Sequence, residues 1–100
     1  MLHHIVMWKI KDLGVEGDKA ANVAQAKALL EACSNLVPGM ERFDVATAQT
    51  GLEATFDLVL NSTFTDRAAL AAYRTHPSHV ALKPFMRKVV LERHCMDYEN

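Results

Sequence analysis

A ferredoxin-like α+β fold, with elements in the order β-α-β-β-α-β, is what this 100-residue sequence predicts. Three observations carry the prediction. Four short runs rich in Ile, Val, Leu, Met and aromatic residues have the length and composition of strands. A helical pattern follows the first of these runs, and another follows the third. Breakers at Pro38-Gly39 and Thr50-Gly51 set off the second run on both sides. The expected product is one domain, residues 1–100, whose four-stranded antiparallel sheet carries both helices on one face.

The first strand spans residues 2–11 and gives way to loop at Asp12-Leu13-Gly14 and Gly17-Asp18. Asp18 suits a helix N-cap, because its carboxylate accepts from amides that the first turn leaves free. Val23, Ala26, Leu30 and Cys33 then recur at helical spacing, with Lys19, Asn22, Lys27 and Glu31 left for solvent. Pro38-Gly39 ends that helix near Asn35. Residues 40–49 and 56–62 read as two strands of a hairpin, joined through Thr50-Gly51-Leu52-Glu53. Thr65 or Asp66 caps a second helix through Ala68, Leu70, Ala71 and Tyr73, and Pro77 and Pro84 bracket a short helical turn. Residues 87–96, with Val89, Val90 and Leu91 at their centre, form the last strand.

The strands are apolar on both faces. His4, Val6, Trp8 and Ile10 share one side of the first, Ile5 and Met7 the other, and Phe56, Leu58 and Leu60 oppose Val59 in the third. Two helices cover one face and leave roughly 400 Å² in projection on the other. That is near the upper end of what a soluble monomer exposes as one patch. A second copy of the chain is the expected cover, giving a homodimer joined through the helix-free face, with Trp8 and Leu58 buried there.

Eleven basic residues against twelve acidic ones give a net charge of −1, which argues against the clustered positive field that nucleic-acid binding needs. Half of the residues are hydrophobic, too many for a disordered tail. Cys33 and Cys95 show no metal or CxxC spacing and read as buried thiols of a reducing compartment. The opening residues lack a basic segment and a cleavage site, and no apolar run approaches the roughly 18 residues that span a bilayer. The expected setting is therefore cytoplasmic, with no membrane partner.

The segments His4-Ile5-Val6-Met7-Trp8-Lys9-Ile10-Lys11, Pro38-Gly39-Met40 and Phe56-Asp57-Leu58-Val59-Leu60 resemble the stress-responsive A/B barrel (Dabb) family. So does Tyr73-Arg74-Thr75-His76-Pro77-Ser78-His79-Val80, and the resemblance covers essentially the whole chain. Its most specific element is Tyr-x5-His ending in His-Pro-x-His. The resemblance implies homodimers in which two ferredoxin-like sheets close into an α/β barrel around a cavity. It implies less about chemistry. Many members are stress-induced domains of no assigned activity, one plant branch cyclises linear polyketides, and similar barrels outside the family include small monooxygenases.

Tyr73, His79 and His4 are the candidate catalytic residues, and Val6, Trp8, Leu58 and Leu60 the candidate walls of a pocket for a small apolar ligand. Pro77 suits the first position of a short helix, which puts His79 in its first turn. There the helix dipole disfavours the imidazolium and leaves a ring able to accept a proton. Tyr73 ends the preceding helix and can fold back toward the same space. A phenol beside a neutral imidazole can donate to a developing enolate while the imidazole takes an α-proton. The resemblance implies such roles for the matching Tyr and His of the cyclising branch, which also has a histidine where His4 stands. The same motif fits a turn pinned by His79 and a helix packed by Tyr73.

This chain departs from that branch at Leu58, where the branch has a histidine, and at Lys27 and Leu30, where it has aromatic residues. His76 and His79 are not expected to bind a metal, since Pro77 holds His76 extended and no third ligand is near. No glycine-rich or ligand-cluster signature calls for a cofactor. His3 faces away from His4, His94 belongs to the edge or surface, and Asp57 is either a fold determinant or a functional acid. Three functions stand open: a dimeric barrel with a small-molecule cavity and cofactor-free acid–base chemistry, a non-catalytic stress or assembly protein with a filled barrel, and a cofactor-free monooxygenase.

Overall fold

Side chains of β1 (Leu2–Ile10) alternate strictly between buried and half-buried, and this strand is the spine of the sheet. The computed structural model describes all of residues 1–100. Strands β2 (Met40–Thr47), β3 (Leu58–Phe64) and β4 (Val90–Glu99) complete an antiparallel sheet of order β2-β3-β1-β4. The fold is ferredoxin-like, and the sheet is not closed within one chain. A one-turn 3-10 helix, Gly14–Glu16, precedes α1 (Lys19–Glu31). Helices α2 (Arg67–Thr75), α3 (Pro77–Val80) and α4 (Lys83–Val89) lie between β3 and β4.

Local chemistry explains the boundaries. Asp18 accepts from the Ala21 amide at 2.7 Å and starts α1, and Asp66 accepts from the Ala69 amide at 2.8 Å and starts α2. Gly39 has φ +91°, and a Cβ there would stand 2.6 Å from Thr65 Oγ1, so the break after α1 admits only glycine against the start of α2. Asp57 is a fold determinant. Its carboxylate accepts from the Ile10 amide at 2.8 Å and pairs with Lys19 at 3.1 Å, which ties the ends of β1 and β3 to α1.

The core forms where the helices meet the even-numbered face of β1. Val6, Trp8 and Ile10 pack there with Leu58 and Leu60 of β3, Leu30 of α1, Leu70 and Tyr73 of α2, and Val89 of α4. Trp8 and Leu58, 5% and 2% exposed, therefore sit under the helices and not on the helix-free face. Both sides of β1 and β3 are apolar, so alternation separates the two sets without saying which one the helices cover. Phe56 also leaves its expected side. It lies before β3, where its ring meets His94 at 5.4 Å between centroids and Lys9 Nζ at 5.6 Å.

The last strand starts at Val90, later than the sequence predicts. Pro84 does not end a helix but occupies the first turn of α4, where its missing N–H costs nothing, and α4 continues to a fully buried Val89. As an edge strand β4 is exposed along most of its length, so only Cys33 of the two free cysteines is buried, and Cys95 is exposed. The helix-free face carries Ile5, Met7, Val59 and Met96. No helix is long and apolar enough to cross a membrane.

Candidate functional site

A cavity of about 490 Å³ opens between the sheet and the helices. His4, Val6 and Trp8 of β1, Leu60 of β3, Tyr73 of α2 and His79 of α3 all line it. Leu58 does not. It is buried in the core beside the cavity.

The even register of β1 turns His4 toward the helices, where it is 4% exposed. Antiparallel pairing sets Asp97 of β4 directly opposite, and His4 Nδ1 stands 2.5 Å from Asp97 Oδ1. A carboxylate only accepts, so this contact assigns the proton to Nδ1 and leaves Nε2 with its lone pair. Asp97 Oδ2 accepts from Arg74 Nη2 at 2.7 Å, which completes an Arg74–Asp97–His4 chain. Burial lowers the His4 pKa against the upward pull of Asp97, with Arg74 and Arg93 adding to the depression. Burial pushes the Asp97 carboxyl up, but the hydrogen bonds and charges of His4 and Arg74 outweigh it and hold Asp97 below the usual range.

Tyr73 and His79 meet with ring centroids 4.6 Å apart. His79 Nδ1 donates to the Arg74 carbonyl oxygen at 3.0 Å, so here too Nε2 is the free nitrogen. Burial lowers the His79 pKa against the upward pull of the hydrogen bond to the Arg74 carbonyl, and the charges of Lys83, His4 and Arg74 lower it further. The sequence expectation credited a helix dipole, yet α3 is a single turn, and burial is the larger cause. The Tyr73 hydroxyl is buried without any hydrogen-bond partner, and burial pushes its pKa far up. Its ring packs on Phe43 and Phe64 at 5.8 and 5.5 Å.

His76 pins the same turn from the other side, accepting at Nδ1 from the Ser78 amide at 3.1 Å. His3 stacks on Tyr98 at 4.5 Å, away from the cavity. No three His, Cys, Asp or Glu side chains stand close enough together to hold a metal ion.

Sequence reading missed Asp97 and Arg74. The only signal for Asp97 is its parity with Arg93 and Cys95, which becomes informative once β4 is known to pair with β1 in the register His4↔Asp97.

A family described as the Stress responsive A/B Barrel Domain matches residues 2–100. Among solved structures, a dimeric protein of unknown function and ferredoxin-like fold from Bacteroides fragilis is 29% identical over 99% of this chain and 95% of its own, with a TM-score of 0.81. A Dabb family protein with a ferredoxin-like fold from Mesorhizobium loti is 22% identical, covering 99% and 95% of the two chains at a TM-score of 0.68. A Nitrosomonas europaea protein, classed provisionally as an antibiotic biosynthesis monooxygenase, is 20% identical over 100% and 98% at 0.77. No functionally curated protein matches the chain.

Proposed function

Because this chain belongs to the stress responsive A/B barrel domain family, we propose that it acts as a homodimer whose subunits each bind a small, mostly apolar carbonyl compound and move a proton beside the carbonyl without a cofactor. The observation that carries this reading is the pairing of Tyr73, whose buried hydroxyl has no hydrogen-bond partner, with His79, whose ring lies against the Tyr73 ring and whose pKa burial lowers. A donor left orphaned in a folded protein is costly, and an enolate oxygen is the kind of acceptor it lacks.

His79 Nε2 takes the proton from the carbon next to the carbonyl. The C–H bond breaks, its electron pair passes into the enolate, and the ring becomes an imidazolium. Tyr73 donates its O–H to the enolate oxygen, and its raised pKa keeps the phenol protonated for that task. The imidazolium then returns the proton to carbon. His4, its tautomer fixed through Asp97, faces the same cavity and orients the substrate. The hydroxyl is closed off from solvent, so a substrate displaces the side chains over it on entry.

Ile5, Met7, Val59 and Met96 make the helix-free face the natural joint between two copies, and the Bacteroides fragilis relative is described as dimeric. Two sheets facing each other there close the barrel, with the catalytic cavity of each subunit on the other side of its sheet. Both thiols are free, in keeping with a cytoplasmic setting. An open cavity of about 490 Å³ that reaches Tyr73 and His79 favours a binding site between the helices and the sheet.

Hydrogen–deuterium exchange at the α-carbon of apolar β-diketones, followed by NMR in D₂O, tests the chemistry. The protein is expected to accelerate exchange, and His79→Ala to remove about 10²–10⁴-fold of it. Exchange at the buffer rate, or exchange indifferent to His79, overturns the reading in favour of a non-catalytic domain.

A further inference from the structure

The mouth of the cavity is charged in one sense only. Arg74 of α2, Lys83 and Arg87 of α4 and Arg93 of β4 all reach it, and no carboxylate lines it. Arg74 is neutralised by Asp97. Lys83, Arg87 and Arg93 have no carboxylate partner anywhere in the chain. With twelve acidic residues and a net charge of −1, the chain has anions enough to pair them, so three unpaired cations around one opening are a segregation. Lys83 and Arg87 are four residues apart on one face of α4, and Arg93 comes from a different element, the edge strand. Their charges reach inward: Lys83 disfavours the imidazolium of His79, and Arg93 that of His4. Behind the mouth the walls turn apolar, with Val6, Trp8, Leu30, Leu60, Leu82 and Met86.

We infer that the site takes an amphiphilic anion: a compound whose apolar body lies among Trp8, Leu60 and Met86 and whose carboxylate is held at the mouth by Lys83, Arg87 and Arg93. This names the substrate class of the site proposed above and rests on that reading for the place of binding. Guanidinium groups bind carboxylates through paired, charge-assisted hydrogen bonds, which a neutral ligand of the same shape cannot accept. The apolar walls behind the mouth select against small hydrophilic anions, which leave them wet. A compound with a carbonyl inside and a carboxylate outside satisfies both the orphan Tyr73 hydroxyl and the cationic mouth.

Trp8 is the only tryptophan and lines the cavity, so its emission reports occupancy. Titration with decanoate and with decanol, at one pH near neutrality and low ionic strength, separates the charge from the chain. Decanoate is expected to bind at least about tenfold tighter, the factor that one charge-assisted contact supplies. Added salt should shrink that preference. The double variant Lys83→Gln/Arg87→Gln, and separately Arg93→Gln, should each cut the decanoate preference severalfold. All three side chains are exposed, so the fold should survive their replacement. Equal affinity for the two probes, a preference that both variants leave intact, or no binding of either probe overturns the inference. The proton-transfer reading fails separately, in a protein that prefers decanoate yet does not accelerate α-carbon exchange.

Discussion

Tyr73→Phe should make the ligand-free protein more stable and a poorer catalyst. The Tyr73 side chain is fully buried, and its hydroxyl has no partner in the fold, whereas the unfolded chain hydrates it. Burying a donor unsatisfied costs about 1–3 kcal/mol. Removing one oxygen opens a void smaller than a methyl group, which costs under about 1 kcal/mol. Ring contacts with Phe43, Phe64 and His79 remain available to phenylalanine. The balance is a gain of about 1 kcal/mol. In urea the midpoint should rise with an unchanged slope, at fixed protomer concentration because assembly couples to folding. The thermal midpoint of a domain this size moves about 4–8 °C for each kcal/mol. Tyr73→Leu, which discards the ring as well, should lose stability. A Tyr73→Phe variant destabilised by more than about 0.5 kcal/mol would mean that the hydroxyl makes a hydrogen bond in the folded state, well short of the net gain that its unpaired burial implies. Stability gained while α-carbon exchange is lost is the mark of a group kept for function.

Four other outcomes are expected. His4 and His79 both have pKa values held below 6.5 in the folded protein, so the unfolded chain binds more protons as the pH falls through that value. Stability should be greatest above about pH 6.5 and decline on acidification toward the folded pKa values, read as urea midpoints against pH; a flat profile there means that the rings are not buried neutral. Met7→Asp should give a folded monomer in sedimentation equilibrium, whereas Trp8→Asp should unfold the chain by burying an unpaired charge, and a dimeric Met7→Asp variant would place the joint elsewhere. Cys95 should react at once with a thiol reagent. Cys33, 1% exposed and with its pKa pushed up by burial, should react only on unfolding. His79→Asn keeps a donor for the Arg74 carbonyl but no base, so it should preserve the thermal midpoint better than His79→Ala while losing exchange activity equally.

The succession of elements and the helix starts were legible because they rest on local chemistry. Asp18 and Asp66 precede helical patterns as N-caps do, and the hairpin between β2 and β3 follows from glycine-bearing turns. The burial side of the sheet was not legible, because His4, Val6, Trp8 and Ile10 compete with Ile5 and Met7 on equally plausible faces. Helix α4 absorbed Arg87, Lys88 and Val89 because Pro84 in a first turn starts a helix as readily as it ends one. Of the candidate site, Tyr73, His79 and His4 were singled out by the Tyr-x5-His motif, strand parity and the family resemblance, and the fold brings them to one cavity. Asp97 could not, since its contact with His4 spans 93 positions and depends on a register that only the assembled sheet defines.

Pinning a turn and acting as a base are not rival roles for His79, because they use different nitrogens. Nδ1 donates to the Arg74 carbonyl and holds α3 against the end of α2. That donation keeps the proton on Nδ1 and so leaves the lone pair on Nε2 of a ring that lines the cavity. His4 repeats the arrangement on the opposite wall, with Asp97 in place of the carbonyl. In each case the contact that rigidifies the fold also selects the tautomer, and burial together with the surrounding cations keeps the ring uncharged. Arg74 belongs to both systems, through its carbonyl to His79 and through its guanidinium to Asp97 and thence His4. The two rings are thus set by one residue at the end of α2, immediately after Tyr73. A family member could keep this turn for its structural role alone and still hold a base ready; what decides whether it is used is the shape and charge of the cavity in front of it, which here is apolar within and cationic at its mouth.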